Sequence, residues 1–585
     1  MIIETTTQKP TTQNILFRYL PILAWLPHYK PAWLTADLIA GLTLWGLAVP
    51  ENIAYTGLAG LPAQAGLYTL LVSLPLYAMF GTSKQLVVCA TSASAVVLAS
   101  TIADLNPPNA TMYYALAQVL ILLVGVVFLL AGLFKLGFIT NFLSRPLMDG
   151  FISGLAIFIA AKQLYKLFGI SKGSGDTFQQ LWHVVVNLGK TNLLTLAVGL
   201  GAMVLLFGLP RLSRRIPSAL AVLVLGILVS TVWHLSAHGV AVVGHIPAGL
   251  PTVGLPQISW SGLDLGGLLT GAVAIALVLF SEALPAADAF ATKHGYEIDP
   301  GQELIAMGVA NLGSGLVGGM VAGGVVSGSA VNDRAGAKTP VSLLTAAVLV
   351  LITVIALTPL FTNLPEAILA ALIIYAVTHL MRVKQMVRFF HLRRDEFWLG
   401  LVTFVSVLVF DVLTGLAIGV ACSLVAIIYL SSRPYSYVLG QVPGVPGAYG
   451  DIEQYPENKP IPGLLIFRLG LTLYFANARL MRDRLRALVN TSVPRPQTVL
   501  IDLVYNRKLD ITSTEMLENL AEEFHKDGIQ LALRVAHEPV NQMARRSGLM
   551  EKIGENHIFP SLDAAVQAFV RNGKGGEHEM IPERP

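Results

Sequence analysis

Two acidic side chains stand where acids are costly. Glu51 and Glu282 both lie in apolar stretches of the chain. An ionisable group inside a bilayer costs about 2.5–3.5 kcal/mol on insertion scales and by default marks an ion or substrate path. Tyr55 follows Glu51 by four residues, one helical turn on and on the same face. Two short apolar segments, 88–101 and 326–334, are interrupted by small residues and take matching places in two halves of the chain. Such segments point to a transporter's midplane site. A helix N-terminus there aims free N–H groups and a positive dipole end at an anion. Unpaired carboxylates beside that anion repel it. Protonation removes the repulsion, so proton and anion each favour the other's binding, which is the physics of proton–anion symport.

Each of these residues also has a plainer reading. Glu282 would then be hydrogen-bonded at a helix end, Glu51 would lie near the outer surface, and Tyr55 would be packing or an interface anchor. Asp288, six residues beyond Glu282, points to a different face and reads as a cap or ion-pair partner near the cytoplasmic end. The glycines of 313–315 and 318–324 give a backbone room to approach a ligand, or only let helices pack closely. Spacing does not separate the two.

Such residues need a membrane scaffold, and the composition supplies one. Of 585 residues, 54% are hydrophobic and 13% charged, about half the charge of a soluble domain. A soluble enzyme and a disordered chain are both excluded. A net charge of +4 gives no argument for nucleic acid. Cys89 and Cys422 sit in apolar stretches, so neither a disulfide framework nor a metal cluster is expected. There is no Walker A loop, no His-Glu-x-x-His and no dinucleotide fingerprint after a strand. No enzyme, no cofactor and no ATP-driven pump is expected on this chain, and transport would be secondary.

A helix needs about 20 apolar residues to cross the hydrocarbon core. Clear candidates are 112–134, 147–168, 191–209, 217–236, 265–290, 341–360, 364–381, 396–411 and 413–431; less regular ones are 35–50, 64–80, 88–101, 303–318 and 326–334. With the N-terminus inside, the inner loops hold fourteen Lys and Arg, Arg214 and Arg215 among them, and the outer connections hold four, Lys162, Lys166, Lys172 and Lys190. That bias supports fourteen spans with both ends cytoplasmic. No cleavable signal pattern opens the chain, so the first span is expected to insert uncleaved, in the cell (inner) membrane.

Charge density rises after Ser431–Pro434. The expected organisation is a cytosolic segment 1–19, a membrane domain 20–433, a Pro-rich linker 434–462, a soluble domain 463–573 and a disordered tail 574–585. In the soluble domain, strands at 464–469, 498–503 and 529–535 alternate with helices at 478–490, 513–528, 540–547 and 562–571, an α/β pattern.

Four stretches carry a resemblance. Pro50-Glu51-Asn52-Ile53-Ala54-Tyr55 with Ala59-Gly60-Leu61-Pro62, Gly66-Leu67-Tyr68 with Phe80-Gly81-Thr82-Ser83-Lys84, Phe290 to Leu304, and Ser327-Gly328-Ser329-Ala330-Val331-Asn332 resemble, in order and spacing, the motifs of SulP-type anion transporters, the family that includes the solute-carrier-26 proteins. The tail resembles the STAS domain these proteins carry. The resemblance implies a polytopic α-helical membrane protein with seven-plus-seven inverted repeats, a core domain that moves against a gate domain, and a site between the third and tenth helices. Carried onto this sequence, the substrate site is Glu51, Tyr55, Thr91, Ser92, Val326, Ser327, Gly328 and Ser329. Glu282 takes the place of an acid linked to proton or sodium coupling. A homodimer and a cytosolic partner at the STAS domain are implied as well.

The sequence also departs from the family pattern. Gly328 replaces an arginine that would sit near the bound anion, Glu51 replaces a glutamine, and Val88 to Ser94 lacks the usual Gly-Pro pair. Sulfate or another small oxyanion, proton-coupled, is the first expectation. Bicarbonate with sodium, a dicarboxylate or an uncharged solute stays open, as does a membrane-anchored signalling protein that transports little. In the STAS-like tail, Thr512 stands where soluble relatives are phosphorylated, while Ser513 replaces the motif's glycine. The alternative is that Thr512 or Ser513 caps the next helix.

Overall fold

A computed structural model describes residues 19–137, 144–173, 177–212, 218–258, 264–378, 381–410 and 412–571. Residues 1–18, Arg214, Arg215 and the expected tail lie outside them. The chain forms two compact units that divide after Ser423.

In the first unit the helices are α1 (Leu34–Leu58), α2 (Ala63–Phe80), α3 (Ser92–Asp104), α4 (Ala110–Leu133), α5 (Arg145–Phe168), α6 (Thr177–Val186), α7 (Leu193–Leu212), α8 (Ser218–Val232), α9 (Leu265–His294), α10 (Pro300–Leu316), α11 (Val326–Arg334), α12 (Val341–Ile352), α13 (Glu366–Thr378), α14 (Val383–Leu392), α15 (Arg394–Val409) and α16 (Val412–Ser432), the last of which runs on past the division. Among the described residues, nine helical stretches are long and apolar enough to cross a membrane. Each expected apolar segment coincides with a helix. α6 and α14 fall outside those segments. Both expose apolar side chains, Phe178 and Trp182 on one and Val387 and Phe390 on the other, the character of helices that lie in a membrane interface.

The third and tenth segments are each led by a three-residue strand, β1 (Val88–Ala90) and β2 (Ala322–Gly324). The strands pair antiparallel, Val88 with Gly324, Cys89 with Gly323 and Ala90 with Ala322, so the two segments run in opposite senses. Helix, helix, strand and short helix occur in that order in each half. The ribbon is fully buried. Backbone at that depth must find its partners within the protein.

The second unit is an α/β domain. Its strands are β3 (Ser436–Gln441), β4 (Tyr449–Asp451), β5 (Leu464–Leu469), β6 (Thr498–Asp502), β7 (Gln530–Arg534) and β8 (Ile558–Phe559), and its helices are α17 (Phe475–Thr491), α18 (Ile511–Lys526), α19 (Glu538–Ser547), α20 (Leu549–Ile553) and α21 (Leu562–Arg571). The sheet order is β4-β3-β5-β6-β7-β8. β5 to β8 are parallel, and β3 runs antiparallel to both neighbours. Residues 436–441 and 449–451, inside the stretch expected as linker, are therefore part of the sheet. Prolines at the turns hide a hairpin whose inward residues, Val438 and Leu439, are buried.

Candidate functional site

The ribbon brings the N-termini of α3 and α11 together. Buried side chains hold it. Asn52 of α1 accepts the Ala90 N–H through Oδ1 at 3.0 Å. Asn311 of α10 accepts the Ala322 N–H at 2.9 Å and donates to the Ala322 carbonyl at 2.7 Å. Ser73 donates to the Val88 carbonyl at 2.8 Å. A buried amide left unpaired costs about 1–3 kcal/mol, so these residues let irregular backbone persist in an apolar core.

The two half-helices differ at their first turns. Thr91 caps α3: its hydroxyl accepts the Ser94 N–H at 3.0 Å, and the Ser94 hydroxyl accepts the Thr91 N–H at 3.2 Å. α11 has Val325 at its cap, and no side chain closes that turn. Val326 and Ser327 are exposed there, Val326 by 45%. The N–H groups of Val326, Ser327 and Gly328 form an open, dipole-positive end.

Of the expected substrate residues, Thr91 and Ser329 are occupied in the frame. Thr91 donates its hydroxyl proton to Ser94 at 3.1 Å. Ser329 donates to the Val325 carbonyl at 2.6 Å and accepts the Val87 N–H at 2.9 Å, so it has no proton for an anion. Ser92 is buried at the start of α3, and its hydroxyl makes no hydrogen bond among the described residues. Gly328 is buried but would admit a Cβ without a clash: it would touch the Val87 and Val325 side chains at 3.6–3.7 Å. The strand glycines would not. A Cβ on Gly324 would strike the Ala283 Cβ at 2.6 Å, and one on Gly323 the Leu279 side chain at 2.3 Å. There the glycines serve close packing of α9 on β2.

That packing places Glu282 beside the ribbon, as Asn52 places Glu51. Both carboxylates are half-buried, and neither makes a hydrogen bond or ion pair among the described residues. Each stands near an in-helix proline, Pro50 in α1 and Pro285 in α9, which lacks the N–H for the carbonyl a turn earlier. Tyr55 is buried, close enough to Glu51 and Glu282 for either carboxylate, when ionised, to act on its hydroxyl. The site thus gathers Glu51, Tyr55 and Glu282 with both helix ends. Asp288 is exposed further along α9.

A third membrane carboxylate shows the opposite arrangement. Glu303 is buried and accepts from the Tyr77 hydroxyl at 2.7 Å, the Thr82 N–H at 2.7 Å, the Thr82 hydroxyl at 2.6 Å and the Ser83 N–H at 3.1 Å. Tyr296 accepts the Lys84 N–H at 3.0 Å and donates to Gln85 at 2.7 Å. The long motif 290–304 therefore ties α9 and α10 to the loop after α2. Asn332 likewise donates to the Gln85 carbonyl at 3.2 Å. Asn52 and Asn311 were missed by sequence reasoning, although a polar residue inside an apolar run is the same signal that singled out the acids.

Thr512 lies in the other unit, exposed in the first turn of α18. The cap is Asp510, whose carboxylate accepts the Ser513 N–H at 2.9 Å. Neither Thr512 nor Ser513 caps the helix, because α18 starts at Ile511, earlier than expected.

Residues 34–403 match the sulfate permease family and residues 455–565 the STAS domain. A probable sulfate transporter of Mycobacterium tuberculosis is 34% identical over 544 residues, 93% of this chain and 97% of that protein. High affinity sulfate transporter 2 of Stylosanthes hamata is 32% identical, over 94% of this chain and 86% of that protein. The murine solute carrier 26 family member A9 anion transporter, in its inward-facing state, superposes with a TM-score of 0.87 at 26% identity and covers 97% of both chains. The transmembrane domain of the cyanobacterium bicarbonate transporter BicA shares the fold, with a TM-score of 0.59 at 22% identity over 68% of this chain and 98% of that one.

Proposed function

The chain belongs to the sulfate permease family, and from that premise we propose that it is a secondary transporter of sulfate or a similar small oxyanion, driven by protons across the cell membrane. The reading rests on one observation: the open first turn of α11, buttressed by a buried ribbon on which α1 and α9, the helices that carry Glu51 and Glu282, also pack. The N–H groups of Val326, Ser327 and Gly328 bind the anion. Ser92 and Tyr55 donate from the facing side, and Thr91 and Ser329 hold the frame. Glu282 carries the proton, and Glu51 adds to the local negative field. With both acids ionised the anion is repelled. With Glu282 protonated it binds, so the loaded site holds both ions and the coupling is reciprocal. The core domain carrying the ribbon then moves against the gate domain. Both termini face the cytoplasm, two copies assemble as a dimer, and the STAS domain offers a surface to a cytosolic partner.

The test is radiolabelled sulfate uptake in proteoliposomes, with and without an inward proton gradient. Uptake should rise with the gradient, and Glu282→Gln should remove that rise by about 10- to 100-fold, the span of a typical coupling energy. Gradient-independent uptake in the wild type would remove Glu282 from the coupling role. Gly328 supports a second reading, because the first turn of α11 carries no cationic side chain. Bicarbonate, a dicarboxylate or an uncharged solute would need less positive charge, and competition against labelled sulfate separates them.

A further inference from the structure

The last turns of α16, from Leu424 on, belong to the same compact unit as the STAS sheet. They expose Val425, Ile428, Tyr429 and Leu430, as a lipid-facing helix does. Arg433 sits over the Tyr429 ring at 4.8 Å. An aromatic residue and a cation at the end of an apolar span mark a membrane–water interface. The sheet begins at once. The Gly470 N–H donates to the Tyr435 carbonyl at 2.8 Å, Ser436 pairs with Leu469, and Asn477 reaches the Ser431 carbonyl at 3.5 Å. The C-terminal edge of β5 therefore stands beside the helix end, and so do the loops that leave β5 and β6.

Those two loops are tied into one platform. Asn506 accepts the Leu473 N–H at 3.2 Å and donates to the Leu473 carbonyl at 3.0 Å. Thr472 donates to the Tyr505 carbonyl at 3.0 Å, and Asp510 accepts the Phe475 N–H at 2.7 Å. On this platform Leu471, Phe475, Tyr505 and Ile511 are exposed, Phe475 by 67% and Ile511 by 68%. Large apolar side chains grouped on a held surface mark an interaction site. Arg507 and Lys508 lie in the same loop, exposed and without an ion pair among the described residues. The loop's acid, Asp510, is occupied by backbone N–H groups.

We propose that this platform docks on the anionic lipid surface of the bilayer that α16 spans, with the four apolar side chains in the headgroup region and Arg507 and Lys508 against lipid phosphates. An aromatic and aliphatic cluster beside free cations fits an anionic interface, and the tether at Ser432 keeps the platform near it. The inference does not depend on which solute crosses the membrane.

Hydrogen–deuterium exchange of the full chain tests it in three settings: nanodiscs of phosphatidylcholine, nanodiscs of equal phosphatidylcholine and phosphatidylglycerol, and neutral detergent. Amides of 470–476 and 503–511 should exchange about tenfold more slowly in the anionic discs than in the other two settings. A double variant, Arg507→Glu with Lys508→Glu, should lose that difference while β5 to β7 keep their protection. Equal exchange in all three settings overturns the proposal: if fast, the platform is free, and if slow, protein covers it. A difference that survives the double variant overturns the role of the two cations.

Discussion

The first turn of α3 is closed by its own side chains, whereas the first turn of α11 is open. Both helices grow from one antiparallel ribbon, so repeat architecture alone would make them equivalent. At α3 a threonine and a serine cap each other reciprocally. At α11 the cap is Val325 and the third helical residue is Gly328. A capped helix end has fewer N–H groups left for a ligand. The difference teaches that a symmetric frame can give one end to stability and the other to binding. The buried asparagines show the same division of labour, because they hold the strands and leave the helix ends alone.

The comparison breaks most sharply at Gly328. Gly328→Asp puts a carboxylate in the open turn, with room for its Cβ. An acid in a helix's first turn favours the helix, so folding should hold. The new charge faces the anion at close range, and a repulsion of a few kcal/mol predicts roughly a 100-fold loss of sulfate uptake. Unchanged uptake would place the anion away from α11. Gly328→Arg should act in the opposite direction and more weakly, tightening sulfate by about tenfold, because a long flexible side chain loses entropy in holding its charge near the anion. Isotopic binding to purified protein reads both, and an arginine that weakens sulfate would favour the less charged substrates.

Much of this was legible in the sequence, for identifiable reasons. Apolar runs are the strongest local signal, so every segment from 35–50 to 413–431 has its helix, and 326–334 matches α11 end to end. The unpaired acids were legible because charge in an apolar run is conspicuous. The ribbon was not. Ala322-Gly323-Gly324 has no strand propensity, and its hydrogen bonds come from Asn52 and Asn311, far away in sequence. β3 and β4 were hidden by the prolines and glycines between them. α6 and α14 were hidden because an amphipathic helix lacks the continuous apolar run of a span. Cap identity in the STAS domain turned on one turn of helix, which placed Asp510 rather than Thr512 at the end of α18.

The smallest effect tests the other end of the ribbon. Thr91→Ala removes the hydroxyl that accepts the Ser94 N–H and donates to the Ser94 hydroxyl. Loss of such a cap costs about 1 kcal/mol, which should lower the melting temperature slightly. Sulfate affinity should change by less than about twofold, because that energy belongs to α3's own turn and not to the ligand. The mutation also frees the Ser94 N–H in the first turn of α3. If affinity rose markedly, the newly opened turn would be joining α11 in holding the anion, and the division of labour between the two helices would be a matter of one hydroxyl. If it fell markedly, Thr91 itself would be a ligand, and its hydrogen bond to Ser94 would have to break during the transport cycle.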